Sequence, residues 1–86
     1  MNVLTIDVWK KEEVVSRHQF ELAAQQTLKV GRIQSAQIYV DDLKASRIHA
    51  VIHATPTSIQ ITDMGSTSGT YVNGKQIQTC KLKEGD

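Results

Sequence analysis

Cysteine occurs once in the 86 residues, at Cys80, so no internal disulfide can form. That usage fits a reducing compartment and, with no export signal, reads as a cytoplasmic protein. The longest apolar run is three or four residues, far below the roughly 20 needed to span a bilayer. Met1-Asn2-Val3 also lacks the basic stretch and apolar block of a leader. No membrane partner is therefore expected. An excess of one charge is missing too: 10 Lys and Arg stand against 9 Asp and Glu, a formal net charge of +1. Without an overall field to draw nucleic acid or an acidic surface, any anion site must be local. No window has a helical apolar period, and one domain of this size buries only about 60 to 65% of the surface its unfolded chain exposes. A deep, layered enzyme core is not expected.

What is present is apolar alternation of period two, the pattern of half-buried strands. Val3, Ile6 and Val8 define a first strand ended by Trp9, and Lys10-Lys11-Glu12-Glu13 reads as the turn after it. A second strand spans Val14 to Ala23, with a looser alternation of Ser16, His18, Phe20 and Leu22. Leu28-Lys29-Val30 runs into Gly31, and Ile38-Tyr39-Val40 ends at Asp41-Asp42. Strands from Ile48 to Ala54 and from Thr57 to Thr62 form a hairpin around Pro56. Thr70-Tyr71-Val72 and Gln76-Ile77-Gln78 form another, joined by Asn73-Gly74, the strongest short-range signal for a type I′ turn. The expected architecture is all-β, a two-sheet antiparallel sandwich in a single domain.

The stretch "DMGSTSGTYVNGKQ", Asp63 to Gln76, raises the question of a bound phosphate. Its second half falls one residue short of the nucleotide-binding pattern G-x-x-x-x-G-K-[ST]. That pattern needs a following helix, whose amides face the phosphates, and a Ser or Thr hydroxyl on magnesium. Here Gln76 stands in place of the hydroxyl, and Asn73-Gly74 turns the chain into a strand. A nucleotide loop is excluded, and Lys75 reads as a solvent-exposed hairpin lysine.

Three other pieces each fall at the end of a strand: Gly31-Arg32, Ser46-Arg47-Ile48-His49, and Gly65-Ser66-Thr67-Ser68-Gly69. Loops at one end of a sandwich make a composite surface. This one offers two guanidinium groups and several hydroxyls. A phosphate ester takes a planar, permanently charged donor in bidentate geometry, with short neutral donors on its remaining lone pairs.

These pieces, in this order and spacing, resemble a forkhead-associated domain, from Leu28 through Gln78. The resemblance implies a non-catalytic sandwich, without cofactor or metal, that binds phosphothreonine-containing partners through loops at one end. It implies phosphate contacts for Arg32, Ser46 and Thr67, with Arg47 in the adjoining contact position. Gly31, His49, Gly69, Asn73 and Gly74 take positions that shape and brace the loops. Ser68 stands where many members have an asparagine that bonds the peptide backbone, so Ser68 is expected beside the ligand with a weaker or altered grip. "KLKEGD", Lys81 to Asp86, resembles the approach to the family's closing strands, which are then either lacking or supplied by another chain. The function implied is recruitment of a phosphorylated protein in signalling. The alternative is an assembly domain that needs no phosphate and pairs through an open sheet edge.

Plainer roles compete at each position. Arg32 could pair with Asp41 or Asp42 on the surface, Ser46 could cap a turn, and the Thr67 hydroxyl could bond its own backbone. His49 and His53 share a strand face but lack a third ligand or a cysteine cluster. His49 therefore reads as a loop brace and His53 as a solvent-facing residue. Ser46 and His49 lack the oriented base and oxyanion site of a nucleophile. Ser16-Arg17-His18 has similar letters but no glycine-rich partner loop. Cys80 reads as a small buried apolar residue near a sheet end.

Overall fold

The computed structural model describes residues 3–22 and 24–86. Nine strands, and no helix among the described residues, make up the fold: β1 (Val3–Lys10), β2 (Glu13–Glu21), β3 (Gln26–Gly31), β4 (Ile38–Tyr39), β5 (Ala50–Ala54), β6 (Ile59–Asp63), β7 (Thr70–Val72), β8 (Lys75–Ile77) and β9 (Thr79–Lys81). One layer is a five-stranded sheet of order β4-β3-β5-β6-β9; the other consists of two ribbons, β1-β2 and β7-β8. The all-β expectation is met, with one exception to antiparallel pairing. β4 lies parallel to β3, with Val30 opposite Ile38. The Arg32–Gln37 connection folds back on itself, and the Val40 amide donates to the Gly31 carbonyl at 2.8 Å.

Period-two patterning sets which side chains enter the core. Leu28, Ile38, Ile52 and Ala54 of the five-stranded sheet are buried with Leu22, and Leu4, Ile6, Val8 and Phe20 of the first ribbon pack onto them. The loose alternation of the second strand is resolved in favour of Ser16, His18 and Phe20, which are half-buried, and Leu22, which is buried. Its looseness has a local cause. The register shifts after Val8, so that Val8 faces Ser16 while Trp9 faces Val14, and the bulge turns Val14 and Val15 out to solvent. The turn is shorter than the expected tetrad: Lys11 and Glu12 alone form it, with φ of 50° and 68°, the left-handed pair of a type I′ turn. The strand itself ends at Glu21; Ala23 lies outside the described residues.

Two more boundaries move. The strand expected from Ile48 starts at Ala50, because the Ser46 amide bonds the His49 ring and bends the chain; Ile48 is left 42% exposed. The strand expected from Thr57 starts at Ile59, since the Thr55 amide closes a turn onto the Ser58 carbonyl at 2.8 Å. The Asn73-Gly74 turn forms as expected, with φ of 51° and 81°. Past it the chain changes partners at Gln78. Lys75–Ile77 pairs with β7, and Thr79–Lys81 pairs with β6, with Cys80 half-buried opposite Ile61. Between the two ribbons lies a cleft of about 1010 Å³, walled by Leu4, Ile6 and Val8 on one side and Val72 on the other, above Ile52 and Ile61.

Candidate phosphate-binding loops

Gly31 closes β3 where the 41–49 segment crosses it. A Cβ on Gly31 would stand 2.2 Å from the Arg47 carbonyl oxygen and 3.0 Å from that of Ser46. The crossing is fixed by backbone bonds on both sides of the glycine: the Arg32 amide donates to Ser46 O at 3.0 Å, and the His49 amide to Val30 O at 2.9 Å. A side chain at this position is incompatible with that approach. The absence of a side chain thus brings Arg32 beside Ser46.

Arg32 is exposed and does not pair with Asp41 or Asp42. The ion pair found among the described residues is Arg17–Asp7 on the first ribbon. Arg32 Nε instead donates to the Ala45 carbonyl at 3.1 Å, which directs the guanidinium along the 41–49 loop and leaves its two terminal nitrogens without a protein partner among the described residues. The Arg47 guanidinium and the Thr67 hydroxyl are likewise without partners there. Ser46 is tied differently from a turn cap: its Oγ accepts the Thr67 amide at 3.1 Å. The hydroxyl proton remains available for a ligand. Arg32, Ser46 and Thr67, from three separate loops, are thereby neighbours.

His49 braces this arrangement. Its Nδ1 accepts the Ser46 amide at 3.1 Å, so the ring proton sits on Nε2, which donates to the Gly69 carbonyl at 2.8 Å. Both nitrogens are engaged with backbone, and Ser46 Oγ is bonded to Thr67 rather than to the ring. His53 is exposed on the outer sheet face, 3.3 Å from the Thr27 hydroxyl, and no metal-binding group of His, Cys, Asp or Glu occurs among the described residues. Gly69 has φ of 85°, and its amide donates to Ser66 Oγ at 3.0 Å. Asn73 and Gly74 sit in the hairpin turn, and the Asn73 amide group reaches Asp86 at 2.9 Å rather than the 63–69 loop. Ser68 Oγ donates to the Lys44 carbonyl at 2.9 Å.

One organiser was missed in the sequence. Asp63 is buried, and its carboxylate accepts the hydroxyl of Ser66, the Ser66 amide at 3.2 Å and the Thr70 hydroxyl at 2.7 Å. The available signal was an Asp three residues before a Ser at the entrance of a glycine-containing loop, the pattern of a side chain closing its own turn. The Ser66 hydroxyl bond, and then that of Thr70, hold the Asp63 carboxyl below its usual range despite the opposing effect of burial. A group depressed in the folded state contributes stability above its unfolded pKa, near 4, and loses it as pH falls through the folded value. Asp63→Asn should therefore melt at a lower temperature at pH 7 and show a shallower loss of stability below about pH 4. Thermal melts of both proteins from pH 7 to 2 check this, and parallel acid limbs would remove Asp63 from the account.

The class is that of an all-β sandwich in which loops bring Arg32, Ser46 and Thr67 together. A family model for the FHA domain matches residues 28–86, and the chain belongs to that family, whose members are non-enzymatic, phosphothreonine-dependent interaction modules. Among curated relatives, the glycogen accumulation regulator GarA of Mycolicibacterium smegmatis is 37% identical over 65 residues, covering 76% of this chain and 41% of GarA. The oxoglutarate dehydrogenase inhibitor of Corynebacterium jeikeium is 35% identical, covering 76% of this chain and 45% of that protein. The chain thus spans less than half the length of either. Among solved structures, one from a study of phosphothreonine-dependent FHA domain interactions superposes with a TM-score of 0.81 at 26% identity, over 96% of this chain and 80% of that one. The FhaA FHA domain, complexed with the intracellular domain of Rv3910, gives 0.79 at 27% identity, over 98% and 86%. No helix among the described residues is long and apolar enough to cross a membrane.

Proposed function

We propose that this domain recruits a phosphothreonine-containing protein, or a phosphorylated segment of its own longer chain, in signalling. The Thr67-to-Ser46 hydrogen bond carries the reading. It joins two loops 21 residues apart, and the Arg32 amide bond to Ser46 O adds the third. In this reading the terminal nitrogens of Arg32 supply permanent charge in bidentate geometry, and Ser46, Thr67 and Arg47 complete the ring of donors. Each charge-assisted bond is worth about 1.5 to 3 kcal/mol.

The reading is tested by a ¹H–¹⁵N correlation spectrum titrated with a degenerate phosphothreonine peptide library and then with its unphosphorylated counterpart. Shifts confined to Gly31-Arg32, Ser46-Arg47 and Gly65 to Gly69, seen with the phosphorylated library alone, are expected. Equal responses to both libraries, or none, would remove phosphate from the function and favour a phosphate-independent assembly role.

A further inference from the structure

We infer that Ser68 is a positioning residue for the phosphate site, strapping the 63–69 loop to the 41–49 loop, and does not donate to the bound peptide. The inference rests on the phosphopeptide reading above.

A serine hydroxyl has one proton to donate. In Ser68 that proton points at the Lys44 carbonyl, 2.9 Å away and 24 residues distant in sequence. A peptide carbonyl could receive it only if the Lys44 bond broke, because the side chain is too short to serve both. The strap also completes a row. The carbonyls of Lys44, Ala45 and Ser46 are each taken by a donor from another loop: Ser68 Oγ, Arg32 Nε at 3.1 Å and the Arg32 amide at 3.0 Å. Three consecutive carbonyls so engaged fix the peptide planes between them, and the middle one orients the Arg32 guanidinium.

The Thr67–Ser46 and His49–Gly69 bonds also join these two loops, but at Ser46 and His49; the Lys44 carbonyl is held by Ser68, and the bonds made within the 41–49 loop cannot replace that tether. The Lys44 amide bonds the Asp42 carboxylate at 2.8 Å, and the Ala45 amide the Asp42 carbonyl at 2.9 Å; both close a local turn without tying it to anything outside. Loss of the strap therefore loosens the Ala45 carbonyl and, through it, the aim of Arg32. The consequence falls on phosphate itself rather than on recognition of the residues around it.

The test separates the two roles by ligand. Affinities of Ser68→Ala are measured for O-phospho-L-threonine and for the phosphothreonine peptide library. A strap predicts the same loss on both, about three- to tenfold for one neutral hydrogen bond. Ser68→Thr, which keeps the hydroxyl, restores both. A loss confined to the peptides would make Ser68 a direct peptide contact and overturn the inference, as would no loss on either ligand. A ligand-free measurement stands beside this one: ¹⁵N relaxation should show faster motion of the Lys44 to Arg47 amides in Ser68→Ala, and unchanged relaxation would also overturn the strap. If the unmodified domain binds neither ligand, the phosphopeptide reading fails, and the relaxation result alone decides whether Ser68 holds the loops together.

Discussion

Replacing Arg32 with alanine is expected to weaken phosphothreonine-peptide binding by about ten- to hundredfold, with the fold intact. The magnitude follows from geometry. Arg32 is exposed, and its tie to the protein is the bond from Nε to Ala45 O, so truncation leaves no buried charge unpaired and melting should change little. Loss of one charge-assisted bond at about 1.5 to 3 kcal/mol corresponds to that range of affinity. Arg32→Lys should recover part of it, because an ammonium keeps the charge but neither the bidentate fork nor the Ala45 bond. Titration calorimetry with a single phosphothreonine peptide measures both variants. An unchanged dissociation constant in Arg32→Ala, with native circular dichroism, would exclude Arg32 from the site.

Gly31→Ala should act in the opposite way, through the fold first. Its Cβ would lie 2.2 Å from the Arg47 carbonyl oxygen and 2.8 Å from the carbonyl carbon. Backbone atoms on a crossing held by two backbone hydrogen bonds cannot swing aside as the end of a flexible side chain would. Such overpacking costs about 3 kcal/mol, a large share of the roughly 5 to 15 kcal/mol that holds a domain folded. A fall in Tm of at least about 10 °C is expected. Binding should collapse as well, since relieving the clash separates Arg32 from Ser46. Melting followed by calorimetry on the folded fraction distinguishes the two effects. A variant that melts like the parent and binds normally would show that the 41–49 loop does not need its close approach.

Ser46 and Thr67 were legible as candidate site residues because charged and hydroxyl side chains cluster at strand ends. Their mutual bond, by contrast, is a matter of about 3 Å across a separation of 21 residues. Ser68 shows the limit more sharply. Its place in the motif implies a ligand contact, and the Lys44 carbonyl, 24 residues away, takes its proton. Asp63 was passed over for the same reason: a carboxylate at a loop entrance is unremarkable until Ser66 and Thr70 are found around it. The strand boundaries misjudged at Ile48 and Thr57 are also places where a side chain or turn bond overrides apolar alternation.

By itself the sequence determined the all-β class, the inward-facing residues and the Asn73-Gly74 turn. These depend on the two-residue pleat and on local φ preferences, which are written in near neighbours. It also determined which donors could serve a phosphate, because that is a matter of side-chain chemistry. Tertiary structure alone decided the parallel placement of β4, the change of partner at Gln78, and the fit of Gly31 under Arg47. It likewise decided which hydroxyls face solvent and which tie loops together. Those outcomes depend on the distance between segments some 8 to 25 residues apart, and a hydrogen bond or a steric clash is settled within a few tenths of an ångström.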